Sequence, residues 1–133
     1  MNKFTAFINV AEHFTVYPGG RTREEGGGSA EEFLELIKHS LNTCDKVVID
    51  LDGTRGYGSS FLNEVACNLT EEDCKRILFI CSRNIYIKEL ASFNNNIMVR
   101  KKQHAEEVEW SNIMKRYEVN KYLYTTNETI YHS

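Results

Sequence analysis

The sequence predicts a single α/β domain with helices packed on a mostly parallel sheet of four to five strands. Two apolar runs rich in β-branched residues, 46–51 and 76–81, are typical of buried strands. Amphipathic helical segments precede and separate these runs, and a strand–helix alternation implies parallel neighbours joined by right-handed crossovers. With 133 residues, of which 41% are hydrophobic, the chain is long enough for one core.

The N-terminal elements come first. Residues 3–10 alternate loosely and predict a strand, and residues 13–17 predict a second one that closes a hairpin or an antiparallel edge. A glycine-rich loop follows over residues 18–28. Ser29 and Glu32 have the spacing of a capping box, so a helix is expected to begin at Ser29.

The central elements alternate between strand and helix. The strand at 46–51 is followed by a helix from about Ser60 to Leu69 and then by the strand at 76–81. Residues 84–93 predict another helix. Further along, apolar residues recur at helical spacing, and residues 121–125 predict a last edge strand. The amphipathic face consists of Trp110, Ile113, Met114 and Tyr117.

Composition narrows the class of protein. The net charge of −3 and the short basic cluster at residues 100–102 do not indicate a nucleic-acid partner. No run approaches the roughly 18 apolar residues of a membrane span, and the N-terminus lacks the apolar stretch of a secretory signal, so we expect a cytoplasmic protein. The four cysteines and four histidines lack the usual ligand spacings, so no metal and no cofactor are expected.

All eight glycines lie in two loops, 19–28 and 53–58. The second loop follows the apolar strand and runs directly into a predicted helix. Glycine lets a backbone turn sharply and approach another molecule closely, and the helix start brings small hydroxyl groups beside unpaired amides. The segment 47–69 is therefore the first place to look for function.

The segment DLDGT, residues 50–54, resembles the first motif of the haloacid-dehalogenase-type phosphatases. The resemblance implies that Asp50 is a nucleophile and Asp52 a general acid, with Mg²⁺ neutralising the phosphoryl group. Ser82 matches the second motif of that family, and Lys88 or Lys101 the third.

The fourth phosphatase motif has no counterpart, because no Asp follows Asp73 and the pair at 106–107 lies in a predicted exposed helix. A magnesium-dependent phosphatase is therefore an alternative and not the first interpretation. Residues 56–61 also begin like a dinucleotide loop but carry Phe61 at its third glycine. A sensor of a small ligand or nucleotide, using both glycine loops, is the other alternative.

Four segments carry a longer resemblance: YPGGR at 17–21, SAEEF at 29–33, VIDLDG at 48–53 and GYGSSFLNE at 56–64. Together they resemble the STAS-like family, small prokaryotic domains of largely unassigned function. The resemblance covers about residues 4–82, and the remainder of the chain diverges. The family is similar in pattern to the STAS domains of anti-sigma-factor antagonists, which carry an Asp-Ser-Ser-Gly turn where a partner kinase phosphorylates a serine.

This resemblance implies a non-enzymatic regulatory module that binds a protein partner, either a histidine-kinase-like ATPase or a serine kinase. Ser60 matches the phosphorylated serine and Ser59 the serine before it, whereas Gly58 replaces the Asp and Phe61 the Gly of that turn. A structural alternative is that Ser59 or Ser60 caps the helix.

Charged residues around the second glycine loop complete the predicted partner or ligand surface. Asp50, Asp52 and Glu64 converge with Arg21 and Arg55 on a polar pocket in one interpretation. In the other, these carboxylates make local hydrogen bonds or ion pairs that hold the loop, because charges near core elements need partners. The neighbouring residues assigned to the same surface are Tyr57, Gly58 and Phe61.

Overall fold

The computed structural model describes residues 4–102, which form one four-stranded sheet. Strands β1 (Thr5–Asn9), β2 (Lys46–Asp50), β3 (Ile77–Cys81) and β4 (Met98–Lys101) lie side by side in sequence order. All three neighbouring pairs are parallel. The predicted parallel α/β architecture is thus confirmed for this part of the chain.

The predicted antiparallel N-terminal edge is wrong. β1 pairs parallel with β2, and the chain then enters the short helix α1 (Val10–His13) instead of turning into a hairpin. The side chain of Asn9 caps this helix by accepting a hydrogen bond from the amide of Glu12. This cap ends the strand, and residues 14–17 are loop.

Four further helices follow: α2 (Ala30–Thr43), α3 (Ser59–Cys67), α4 (Glu71–Cys74) and α5 (Asn84–Phe93). The predicted capping box at the start of α2 is confirmed, with the Ser29 hydroxyl accepting from the amide of Glu32 and the Glu32 carboxylate accepting from the amide of Ser29. The predicted amphipathic segment at 110–117 and edge strand at 121–125 lie outside the described residues.

The hydrophobic core lies on one face of the sheet. Alternate strand residues such as Ile8, Val47, Ile49 and Phe79 pack against the helices, because side chains alternate between the two faces of a strand. The helices contribute a second layer to the same cluster, including Phe33, Ile37, Phe61, Leu62, Val65 and Leu90. Right-handed crossovers between strands in sequence order place successive helices on the same side.

Within residues 4–102, no helix combines the length and apolar character that crossing a bilayer requires. Three of the four cysteines, Cys44, Cys74 and Cys81, are buried. Burial raises the pKa of Cys81 to about 11, so its thiol is protonated at neutral pH. These thiols therefore act as small apolar core groups.

Acid is expected to remove a contribution that Asp73 makes to stability. Burial alone would raise the pKa of Asp73, but hydrogen bonds from Lys38, at 2.5 Å, and from Thr70 lower it below its usual value. A lowered folded-state pKa stabilises the protein above the ordinary Asp pKa, and this stabilisation is lost as the pH falls through the folded value.

Lys38→Met should therefore cost about 0.5–1 kcal/mol at neutral pH, as expected for a partly exposed pair. The cost should shrink as the pH falls through the lowered folded-state pKa of Asp73, because the carboxyl group then becomes protonated in both variants. Urea unfolding at neutral pH and at a series of acidic pH values measures it. Lys75→Met, in the more exposed pair with Glu72, is the control. A Lys38→Met cost that does not change with pH would contradict the assignment.

Candidate functional site

The connection between β2 and α3 is shaped by two glycines. Gly53 and Gly56 have φ angles of +100° and +125°, a conformation that side chains strongly disfavour. At Gly56 a Cβ atom would also approach the Tyr86 hydroxyl to 3.2 Å. Both positions therefore require glycine, and they turn the chain from the end of β2 into the start of α3.

Residues 56–64 form the segment that we call the elbow, and its two serines lie in the first turn of α3. The helix begins at Ser59, and Gly58 is the N-cap, with no side-chain cap hydrogen bond. The capping role predicted for Ser59 or Ser60 is therefore wrong, because the extended cap position falls on Gly58. Ser59 is exposed and Ser60 half-buried, and neither hydroxyl is hydrogen-bonded within residues 4–102.

Two aromatic residues of the elbow point inward. Tyr57 and Phe61, which the sequence assigned to the binding surface, are 8% and 0% exposed. The Tyr57 hydroxyl donates to the carbonyl of Leu51 at 2.7 Å, and its burial raises the tyrosine pKa. The Phe61 ring lies 5.7 Å from that of Tyr57 and 6.0 Å from that of Phe33. These two side chains pack in the core beneath the elbow and do not form part of its surface.

The paired carboxylates of the DLDGT segment are already held by neighbouring groups. Asp50 accepts from the Lys102 ammonium at 2.8 Å and from the amide of Asp52 at 3.0 Å. Asp52 accepts from the Ser82 amide and hydroxyl at 2.9 and 3.0 Å. The ammonium of Lys102 lies 3.9 Å from Asp52, so one cation neutralises both acids.

Arg21 and Glu64 form a separate cluster. Arg21 donates to Asn63 at 2.8 Å and to Glu64 at 3.3 Å, and so ties the first glycine loop to α3. The amide of Arg55 donates to the carbonyl of Val16 at 2.8 Å, which joins the second glycine loop to the segment just before the first one. The five charged residues thus do not converge on one pocket.

An open cleft of about 240 Å³ lies beside the carboxylates, at the carboxyl ends of β2 and β3. Asp52, Arg55 and Ser82 line it together with two residues that sequence reasoning missed, Arg83 and Tyr86. The Arg83 guanidinium lies 5.6 Å from the centre of the Tyr86 ring. Arg83 is the N-cap of α5 and Tyr86 lies in its first turn. Their only sequence signal is that they follow a buried strand.

The described residues do not assemble the phosphatase site that the sequence suggested as an alternative. Ser82 does contact Asp52, but Lys102 holds Asp50 in the place expected for Lys88 or Lys101. No group of three metal-ligating side chains exists within residues 4–102.

Arg21→Met is expected to loosen the first glycine loop. Because the Arg21 and Glu64 side chains are 41% and 30% exposed, the loss in global stability should be only about 0.5–1 kcal/mol. Local opening of the first glycine loop should increase more clearly, and it can be followed as faster amide hydrogen exchange in residues 19–28.

Arg23→Met is the matched comparison, because Arg23 lies in the same loop but forms its ion pairs with Glu31 and Glu35 of α2. Loop amides that exchange no faster in Arg21→Met than in the wild type would show that the Arg21 contact does not hold the loop.

A parallel sheet with helices packed on it is consistent with a STAS-like domain. The family model of the STAS-like domain of unknown function (DUF4325) matches residues 29–74, which run from the N-cap of α2 to the end of α4 and include the elbow. The predicted resemblance is confirmed over this stretch. No curated protein and no solved structure matches the chain. A STAS-like domain suggests a regulatory module, and such domains often bind protein partners.

Proposed function

We propose that this protein is a cytoplasmic, non-enzymatic regulatory module that binds a protein partner through the elbow. The proposal rests on the accessible hydroxyl groups of Ser59 and Ser60 in the first turn of α3. The pair lies within the family match at residues 29–74. The partner that the resemblance implies is a histidine-kinase-like ATPase or a serine kinase. Ser60 is the first candidate for the phosphate acceptor, and Ser59 is the second.

The position of the serines suits a switch that works by charge. A phosphate adds a charge of about −1.5 to −2, and the start of α3 tolerates it because the helix dipole is positive there. The amides of Ser59, Ser60 and Phe61 precede the first intrahelical bond, from Leu62 to Gly58, so they can donate to an added phosphate. Phosphorylation would change the charge of the partner-facing surface without requiring the helix to unfold.

The surface around the elbow offers apolar area as well as hydroxyls. Tyr17 and Val16 are 67% and 38% exposed, and Val16 is joined to the second glycine loop through Arg55. Aromatic side chains are enriched in the energetically important parts of interfaces. We assign Tyr17, Val16 and the two serines to the partner-facing surface, while Arg21 and Glu64 fix the loops that present it.

The test is phosphorylation in the native cell, followed by intact mass spectrometry of the purified chain. We expect the mass of one phosphate on the wild type and its loss in Ser60→Ala. Ser92→Ala, which removes an exposed serine hydroxyl on α5, is the control and should keep the phosphate. A chain that carries no phosphate under any growth condition and captures no kinase or ATPase in cross-linking would end the proposal.

The contact between Ser82 and Asp52 keeps the phosphatase alternative open to experiment. Hydrolysis of an aryl phosphate in the presence of Mg²⁺, lost in Asp50→Asn, would favour that class over a regulatory module. A ligand sensor would instead show a rise in melting temperature with a nucleotide or another small molecule. We expect neither result, because Lys102 already occupies the carboxylate pair.

A further inference from the structure

The sheet has a second face on which none of the described helices packs. The strand residues that alternate with the core set belong to that face, and none of them is part of the core cluster. Its apolar residues are Phe7, Val48, Leu78, Ile80 and Met98. All-parallel sheets occur almost only with both faces covered, so this face requires a second layer.

The last described residue, Lys102, has its side chain on this same face. In the register of β3 with β4, Met98 lies opposite Leu78 and Arg100 opposite Ile80. Lys102 is two residues further, so its side chain lies on the face of Met98 and Arg100. Its ammonium contacts Asp50 at 2.8 Å, and Asp50 is two residues beyond Val48 on β2. This ion pair places the Lys102 side chain on the second face, at the carboxyl ends of the strands.

The sequence beyond Lys102 contains a segment suited to this surface. Its apolar residues recur at i, i+3, i+4 and i+7, and they are Trp110, Ile113, Met114 and Tyr117. Residues 103–109 span up to about 23 Å when extended, and four strands are about 14 Å wide. The segment can therefore reach any strand of the sheet.

We propose that residues 110–117 fold back as a helix and cover the second face of the sheet, with the Trp110 stripe packed against the row formed by Val48, Leu78 and Met98. A tethered segment is present at a high effective concentration, so it outcompetes a separate protein for an apolar surface of the same size. The domain then has helices on both faces of its sheet, and the C-terminal third of the chain completes the fold.

Trp110 is the only tryptophan of the chain, so its fluorescence reports on this contact directly. In the monomeric 133-residue chain we expect blue-shifted emission and an acrylamide quenching constant several-fold lower than in urea. Leu78→Lys and Met98→Lys should each raise the quenching constant towards the unfolded value. Ile85→Lys should not, because Ile85 is 54% exposed on α5, a helix that packs on the other face.

Trp110 that is quenched in the native monomer as readily as in urea would overturn the proposal. Trp110 could instead be shielded from acrylamide only at high protein concentration, with dimers detected by sedimentation. That result would show that a second copy of the chain covers the second face of the sheet. Unchanged shielding in the folded Leu78→Lys and Met98→Lys proteins would also contradict it. If Leu78→Lys fails to fold, the quenching of Trp110 in Met98→Lys tests the proposal alone. The Met98 side chain is 46% exposed and tolerates substitution.

Discussion

Replacing Phe61 by alanine is expected to destabilise the domain by about 3–5 kcal/mol, the usual cost of deleting a buried aromatic side chain. Phe61 is completely buried in the third position of α3, and its ring contacts those of Phe33 and Tyr57. A loss of this size is a large part of the 5–15 kcal/mol by which domains are typically stable. Urea unfolding followed by circular dichroism measures it.

Two substitutions separate this effect from a general sensitivity to mutation. Phe61→Leu keeps an apolar side chain in place and should cost clearly less than Phe61→Ala. Ile85→Ala removes an exposed apolar side chain and should change stability by no more than about 0.5 kcal/mol. If Phe61→Ala cost less than about 1 kcal/mol, the elbow would not depend on the core beneath it.

The central strands and α2 could be predicted because their signals are local. The β-branched run that became β2 and the Ser29–Glu32 capping box each act within a few residues of the chain. The parallel order of the sheet followed from the alternation of these elements with helices. These features did not depend on any contact between distant parts of the sequence.

The end of β1 was harder to predict, because two local signals compete there. Residues 13–17 have a strand-like composition, but Asn9 caps α1 and the chain leaves the sheet before reaching them. The start of α3 shows a similar competition. Serine is a preferred capping residue, yet the N-cap is Gly58, one residue before Ser59. Ser59 is therefore the first residue of the helix.

The composition of the candidate site could be predicted only in part, because its contacts join residues distant in sequence. Tyr57 lies between glycines and resembles a surface residue, yet its hydroxyl turns inward to the Leu51 carbonyl. Lys102 carries no sequence signal that links it to Asp50, since the two meet only through the order of the strands. Pairing across parallel strands is non-local, and composition does not reveal it.

Removing the ammonium of Lys102 should have the second-largest effect on stability. The Lys102 and Asp50 side chains are 25% and 21% exposed, so the pair is partly shielded from water. Lys102→Met would leave Asp50 and Asp52 close together without this cation. Breaking a fully buried pair costs about 3–5 kcal/mol, and partial exposure lowers the expectation here to about 1–3 kcal/mol. Urea unfolding at neutral pH gives the value.

Lys101→Met is the matched control, because it makes the same substitution one residue earlier at an exposed position. A double-mutant cycle of Lys102→Met with Asp50→Asn then isolates the pair from the other contacts of Lys102. The two changes should be less than additive, because Asp50→Asn removes the charge that Lys102 neutralises. Equal costs for Lys101→Met and Lys102→Met, or fully additive effects in the cycle, would mean that the ion pair does not stabilise the end of the sheet.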